Sequence, residues 1–515
     1  MVKSHFYDAI IIGAGNGGLV AAAVAAKQGL RVLLIEQHNL PGGFASSFTR
    51  GRFEFEPALH ELCDIGPKDD LGNCGKLFKD LGAEIEWYPV PDAYRLIVTN
   101  ESEKVDVTMP FGEKDFIDKM EEYLPGSRPK TEEFFALCKE VNSALNYLAE
   151  SKGHPDKKKL MQDYPNFLRT ATYSLETVEK AMKIPESIKS ILNAYWCYIG
   201  ISADRINFPL FAAMFIKFME KGAYVAKNRS HEISTALEDR IRHFGGEILY
   251  NTKVEKILVE DGAVKGVLTD SGLEIGCKHI ISNASPHLVY SSMIKPSEET
   301  PEFAKKSLNA RRVAPAAFCI YLGLNKTKEE LGLKDYSYFI YPTMDTTKLY
   351  NSMKNRENPL LQATVCLNNV IPDCSPKGTS IMSFTTLFAE DSWEDVKPED
   401  YVKEKNRIAL NLINYFEQST GIKIKDSIEE IEIASPLTFA RYTGAFRGSI
   451  YGYETDSWDS ILPRMMMMES DVLIKGLRFV GGAAFRTLGY SSAYMSGETS
   501  ALLTVKDIKE GKQNG

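Results

Sequence analysis

An α/β fold carrying an inserted α+β region with a helical lobe is predicted by three observations. The chain opens on a strand, a glycine turn, a helix and a second strand, read from YDAIIIG, AGNGG, LVAAAVAAKQG and RVLLIE. From Thr131 to about Gly222 apolar residues recur at helical spacing. After Gly245-Gly246 the period becomes that of short strands, with turns at Asp261-Gly262 and Ser271-Gly272.

In chain order, the opening segment reads as the start of a βαβ unit. The clearest helix of the lobe is PESIKSILNAYWCYI, where Pro185 suits a first turn and Ile188, Ile191, Leu192, Tyr195, Trp196 and Ile199 share a face. The meander EILYNTKVEKILVEDGAVKGVLTDSGLEIGCKHIISNAS then returns toward the opening unit. Residues 300–465 mix strand and helix signals without a pattern. The last clear elements are a strand in LRFVGGAAF and a helix in SSAYMSGETSALLTVKDI. No repeat or low-complexity tract stands out apart from the run Met465 to Met468.

A chain of 515 residues exceeds what one hydrophobic core organises, so two domains or a large insertion are expected. A net charge of -8 argues against nucleic acid as a partner. The eight cysteines, among them Cys63, Cys74, Cys366 and Cys374, stand singly with no zinc-type spacing, so reduced thiols in a cytoplasmic protein and no metal are expected. No H-E-x-x-H, P-loop or G-x-S-x-G motif is present. The eighteen uncharged residues Ala9 to Ala26 are expected to be neither signal peptide nor membrane span, because Asp8 precedes them and their glycines suit a phosphate-binding turn.

Gly13, Gly15 and Gly18 form G-x-G-x-x-G between a strand and a helix, a spacing that permits a tight turn, close approach to a pyrophosphate and close helix packing. The helix N-terminus then faces the phosphates. Glu36 ends the second strand eighteen residues beyond Gly18, where a carboxylate accepts hydrogen bonds from ribose hydroxyls. A dinucleotide site follows. The pair Gly42-Gly43 shortly after Glu36 resembles the second signature of glutathione-reductase-type FAD enzymes, which favours FAD over NAD and implies a glutathione-reductase-like FAD-binding Rossmann fold.

Glu36-Gln37-His38, Gly42-Gly43, Phe48, Glu54-Phe55 and His60 resemble the N-terminal region of the phytoene desaturase, carotenoid isomerase and retinol saturase superfamily. LRFVGGAAFRTLGYSSAYMSG is similar to that superfamily's closing flavin motif, and the stretch from Gly222 to S-N-A-S-P at Ser282 to Pro286 resembles it also. Two departures stand out: Gly482 occupies a position where many relatives carry an acidic or amide side chain, and Ala226 to Ser230 lacks the usual glycines. The resemblance implies FAD, and with no obvious histidyl or cysteinyl linkage motif the cofactor is expected to be noncovalent. The expected cofactor-binding residues are Gly13, Gly15, Asn16, Gly17, Gly18, Glu36, Gln37, Gly42, Gly43, Val254, Gly481, Gly482, Gly489, Tyr490, Ser492 and Ala493. An NAD(P)H electron donor is compatible with the chain, although no second motif indicates one. The expected division gives 1–95, 223–300 and 466–515 to FAD binding, and 96–222, with the helical lobe, and 301–465 to a substrate domain.

What the resemblance implies for function is reduction, desaturation or isomerisation of carbon-carbon double bonds in an apolar polyene of retinoid or carotenoid type. An amine-oxidase-like flavoprotein acting on C-N bonds, or a flavin-holding lipid-binding protein, are the alternatives. An apolar substrate calls for a lined tunnel, and PLFAAMFIKFM at 209–219 is either that lining or core. His60 is the candidate catalytic residue, as a histidine titrating near neutrality in the flavin block could protonate a substrate carbon. Glu54, Glu56 and Glu61 nearby read as solvent-facing alternatives. Lys157, Lys158 and Lys159, with Lys152 upstream, offer weak peripheral contact with a membrane, although Asp156 interrupts the run. Oligomeric state has no sequence signal.

Overall fold

The computed structural model describes residues 6–151, 155–357, 361–389, 391–467, 472–484 and 489–511. Its nucleus is the opening unit: strand Phe6–Ile12, helix Asn16–Lys27 and strand Val32–Ile35. Alternate side chains of these strands enter different cores. Ala9, Ile11, Val32 and Leu34 pack under the helix, whereas Ile10, Ile12, Leu33 and Ile35 meet the side chains of the meander.

Around this unit an eight-stranded sheet forms in the order Glu247–Leu249, Val32–Ile35, Phe6–Ile12, Glu274–Ser282, Ala263–Thr269, Val254–Glu260, Ile294–Lys295. The strand Glu274–Ser282 changes partner along its length. Its first residues pair antiparallel with Ala263–Thr269, while Ile280 to Ser282 pair parallel with Leu477–Phe479. The far C-terminal strand is thereby set one strand away from the glycine turn. Asp261 and Gly262, both at positive φ (52° and 70°), make the tight turn between the two meander strands.

A second, seven-stranded sheet runs Ile428–Ala434, Ala316–Leu324, Ser380–Phe388, Gln362–Cys366, Ser337–Tyr341, Tyr94–Val98, Val105–Met109. Every pairing in it is antiparallel except that of Ser337–Tyr341 with Tyr94–Val98. One face carries helix Tyr401–Thr420 through Ile408, Leu412 and Phe416. The other meets the helical lobe, whose helices Arg128–Glu150 and Phe208–Lys221 pack through a cluster of phenylalanines that includes Phe134, Phe135, Phe211 and Phe215. Full burial of each such ring contributes roughly 1.5–3 kcal/mol. The fold is thus mixed α/β with an α+β insertion, as the sequence predicts, and this second sheet fills the stretch that has no legible sequence pattern.

Two local expectations are corrected. The stretch expected to form one helix from Pro185 is helix Glu186–Leu192 followed by a tighter 3-10 turn Asn193–Tyr198, and Pro185 stands outside the first turn as the capping residue. Asp156 does more than interrupt a lysine run: its carboxylate accepts the Lys158 and Lys159 N–H groups at 2.7 and 3.2 Å and caps helix Lys157–Asp163. The three lysines are exposed. Lys152, and Met468 of the methionine run, lie outside the described residues. No helix among the described residues is long and apolar enough to cross a membrane.

Candidate active site

The glycine turn sits where the first strand ends. Gly13 N–H donates to Ile35 O at 2.8 Å and Gly42 N–H to Ala14 O at 2.7 Å, so the second glycine pair is drawn against the first turn. Gly13 and Gly42 hold φ of +91° and +121°, open to glycine at no steric cost. Glu36 is buried at the end of its strand, with one oxygen accepting Ala14 N–H at 2.6 Å and the other His38 N–H at 2.9 Å. These bonds orient the carboxylate and leave acceptor capacity for ribose hydroxyls. Asn16 Oδ1 is buried with no hydrogen-bond partner among the described residues. A glycine-lined turn, a held carboxylate and an unpaired amide oxygen together fit the ADP half of a dinucleotide.

One cavity of 460 Å³ is lined by Gly13, Gly15, Asn16 and Gly17 from this turn, by Glu36 and Gln37, by Gly42 and Gly43, and by Val254. Gly481, Gly482, Gly489, Tyr490, Ser492 and Ala493 reach it from the other end of the chain, and His60 from the loop between them. Gly18 is the exception. A Cβ there would lie 2.0 Å from Gly13 O, so this glycine serves the contact of helix with strand and does not line the cavity.

The C-terminal segment is tied to the N-terminal one at several points. Tyr490 donates its hydroxyl to Phe44 O at 2.9 Å and Ser491 to Cys63 O at 2.9 Å, while within the C-terminal segment Gly481 N–H bonds to Ser496 Oγ at 2.9 Å. Helix Tyr490–Lys509 then packs along Asn16–Lys27. Residues 485–488, the middle of the closing motif, lie outside the described residues. At Gly482 an added Cβ would meet nothing closer than 3.7 Å, so sterics do not require glycine there. Within the other departure, Arg229 takes a left-handed φ of 66°, with its guanidinium held by Glu54 at 3.0 Å and by the Cys374 carbonyl.

The apolar wall comes from helix Phe208–Lys221. Leu210, Ala213, Met214, Lys217 and Phe218, one face at helical spacing, line the cavity, whereas Phe211, Ala212, Phe215, Ile216 and Met219 are buried in the core. Both readings of that stripe hold, each for half of it. Lys217 is paired with Asp64 at 2.9 Å.

Titratable groups depart from the sequence expectation. His60 is half-buried, its Nε2 lies 3.0 Å from Thr385 Oγ1, and desolvation pushes its pKa down to about 4, so the ring is neutral where an imidazolium donor was expected. Two of the three glutamates read as solvent-facing are not. Glu54 is half-buried, while Glu56 is buried on Ser230 and Glu61 is buried beside Tyr198. Burial raises Glu56 to about 7 and Glu61 to about 8, and raises Glu179, buried at the foot of the lobe, to about 8. An acid raised in the folded state binds protons that the unfolded chain has released, so its contribution is present below about 4.5 and lost as pH rises toward 8. Glu179→Gln should therefore flatten the fall in melting temperature between about pH 5 and 8, measured by thermal denaturation across that range; an unchanged slope would show that Glu179 ionises normally.

Sequence reasoning missed Asn283, Glu61, Tyr198 and Tyr451, all of which line the cavity. Asn283 had a signal, since it lies in the S-N-A-S-P block directly after the strand paired with Phe6–Ile12. Its side chain occupies the space where Cβ atoms at residues 15, 17 and 481 would fall, at 2.3, 3.1 and 2.5 Å.

Comparison with known proteins agrees with this arrangement. Residues 11–73 match the model of the NAD(P)-binding Rossmann-like domain family. The chain is 28% identical over 471 residues to the all-trans-retinol 13,14-reductase of Danio rerio, covering 86% of this chain and 77% of the relative. It is 25% identical over 517 residues to the chloroplastic prolycopene isomerase of Daucus carota, covering 98% and 81%. Among solved structures, an oxidoreductase from Methanosarcina mazei aligns with a TM-score of 0.63 at 16% identity over 98% of this chain and 99% of that one. A putrescine oxidase double mutant aligns at 0.64 with 13% identity over 97% and 99%, and both likenesses concern the fold. With similarity to an all-trans-retinol 13,14-reductase and to a prolycopene isomerase running through most of its length, the chain is similar to members of the retinol saturase and carotenoid isomerase superfamily.

Proposed function

We propose that this chain is an FAD-dependent oxidoreductase that reduces, desaturates or isomerises carbon-carbon double bonds of an apolar polyene of retinoid or carotenoid type. The observation that carries this reading is a single cavity that runs from the glycine turn and Glu36 to the apolar face of helix Phe208–Lys221, in a chain similar along most of its length to enzymes named for retinol and prolycopene. Residues 1–95, 223–300 and 466–515 form the flavin-binding part, and 96–222 and 301–465 the substrate part. Gly13 to Gly17 and Glu36 hold the ADP half, and Gly481, Gly482 and Gly489 to Ala493 close over the flavin end. A bound flavin supplies hydride transfer. The chain's own residues orient the polyene along Leu210, Met214 and Phe218 and keep water from it.

Noncovalent attachment is supported by the thiols of the cavity. Burial pushes Cys63 up to about 11 and Cys197 to about 12, and a neutral thiol is a poor nucleophile toward a flavin. The purified protein should be yellow and should release intact FAD on denaturation. Under anaerobic conditions, protein with its flavin pre-reduced should convert all-trans-retinol to a dihydro product or a poly-cis carotene to another isomer. Recovery of NAD, or of no nucleotide after reconstitution with FAD, would overturn the cofactor. Reduction of the flavin by amines, with no polyene converted, would replace the substrate class with C-N bonds.

A further inference from the structure

Glu61 reaches the cavity from the loop between strands Phe53–Phe55 and Leu62–Cys63. Only 8% of the residue is exposed, and its two oxygens are treated differently. Oε1 accepts the Tyr198 hydroxyl at 2.7 Å, whereas Oε2 is buried with no partner among the described residues. A bare carboxylate oxygen in such surroundings is costly, and protonation removes the cost. Because Tyr198 already spends its hydrogen on Oε1, the acid's own proton belongs on Oε2, where no protein group takes it up. That hydrogen sits on a buried atom of a residue that itself lines the cavity, whose apolar lining includes Leu210, Met214, Phe218 and Leu387.

The surroundings keep it there. Tyr195, Tyr198, Tyr336, Cys63 and Cys197, the ionisable groups that sense Glu61, are all held neutral by burial. Of the cavity's lysines, Lys217 is matched by Asp64, and Lys253 stands at the Glu36 end beside Thr252, whose N–H bonds to Glu36 O at 3.0 Å. His60 is neutral and engaged with Thr385.

Resting on the polyene reading, we propose that Glu61 is the proton donor to a substrate carbon and that Tyr198 is its positioning residue. In a saturation, one alkene carbon takes a hydride from the reduced flavin and the other takes the Glu61 proton. The π pair becomes the second new C–H bond, and the substrate gains two electrons that the flavin loses. Glu61 is left as a carboxylate and regains its proton from water. The electrons are restored by a two-electron donor of the dihydronicotinamide or quinol class. In the reverse direction the Glu61 carboxylate takes the proton.

Glu61→Gln keeps the volume and the acceptor for Tyr198 while removing the acidic hydrogen. It should bind FAD and all-trans-retinol as the wild type does, yet transfer from the pre-reduced flavin should slow by about 10²- to 10⁴-fold. The wild-type rate should fall as pH rises through about 8, a limb missing from Glu61→Gln. Tyr198→Phe, which removes a hydrogen bond favouring the carboxylate, should move that limb to higher pH. Independently of turnover, the infrared difference between wild type and Glu61→Gln should contain a protonated-carboxyl stretch that vanishes at alkaline pH, the bands of Glu56 and Glu179 being common to both proteins. Absence of that band, or a Glu61→Gln variant with wild-type rate and pH profile, would overturn the proton donor alone. A wild type that keeps FAD but converts no polyene would overturn the substrate reading, and the donor role with it.

Discussion

Replacing Gly15 by valine should strip most of the FAD from the purified protein. A Cβ at residue 15 would lie 2.3 Å from Asn283 Nδ2. The end of a flexible side chain can yield, but Asn283 is closed in on the protein side and open only to the cavity it lines, so yielding fills that cavity. Its backbone N–H bonds to Ile12 O at 2.8 Å, its Cβ would stand 3.4 Å from a Cβ at Gly18, and its Oδ1 already fills the space beside Gly17 and Gly481. Valine must therefore push into the cavity or lift the helix from the strand end, and either removes the approach a pyrophosphate needs. Overpacking of this kind costs about 1–3 kcal/mol, which at about 1.4 kcal/mol per tenfold predicts an FAD Kd raised about 5- to 140-fold. Flavin fluorescence titration of the apoprotein measures it. Wild-type affinity in Gly15→Val would move the pyrophosphate site elsewhere.

The glycine turn was legible in the sequence because every determinant of it is local: a strand period, a glycine spacing and an acidic residue at a fixed offset. The C-terminal strand and helix were legible for the same reason, although their pairing with Glu274–Ser282 is a long-range fact. The seven-stranded sheet was not legible. Its strand Ala316–Leu324 is buried at all nine positions, so no alternation marks it, and the other strands of the sheet come from residues 94–109 and 337–434. Glu61 was illegible for another reason. A carboxyl among Glu54 and Glu56 reads as a solvated surface, and it is buried by residues distant in sequence, Tyr198 of the helical lobe among them. His60 shows the converse, a residue found by its motif whose ionisation is set by elements hundreds of positions away.

The crossing of the two helices that carry the ends of the site is the other point at which one atom should have a large effect. Gly497 lies within helix Tyr490–Lys509, and a Cβ there would fall 2.4 Å from Gly17 O and 2.9 Å from Val20 Cβ. In an unconstrained helix, glycine to alanine gains roughly 1 kcal/mol. Here the obstacle is backbone of the glycine-turn helix, which cannot move without opening the turn, so steric cost should exceed propensity and Gly497→Ala should melt lower than the wild type. Gly497→Leu should lose about 3 kcal/mol or more. Because Tyr490 and Ser491 at the start of the same helix bond to Phe44 O and Cys63 O, the displacement reaches the cavity, and flavin should be released at the lower temperature together with the loss of fold. Leu502→Ala on the exposed side of this helix should change neither. A Gly497→Ala protein that melts and releases flavin as the wild type does would mean that the two ends of the chain are not held by this contact.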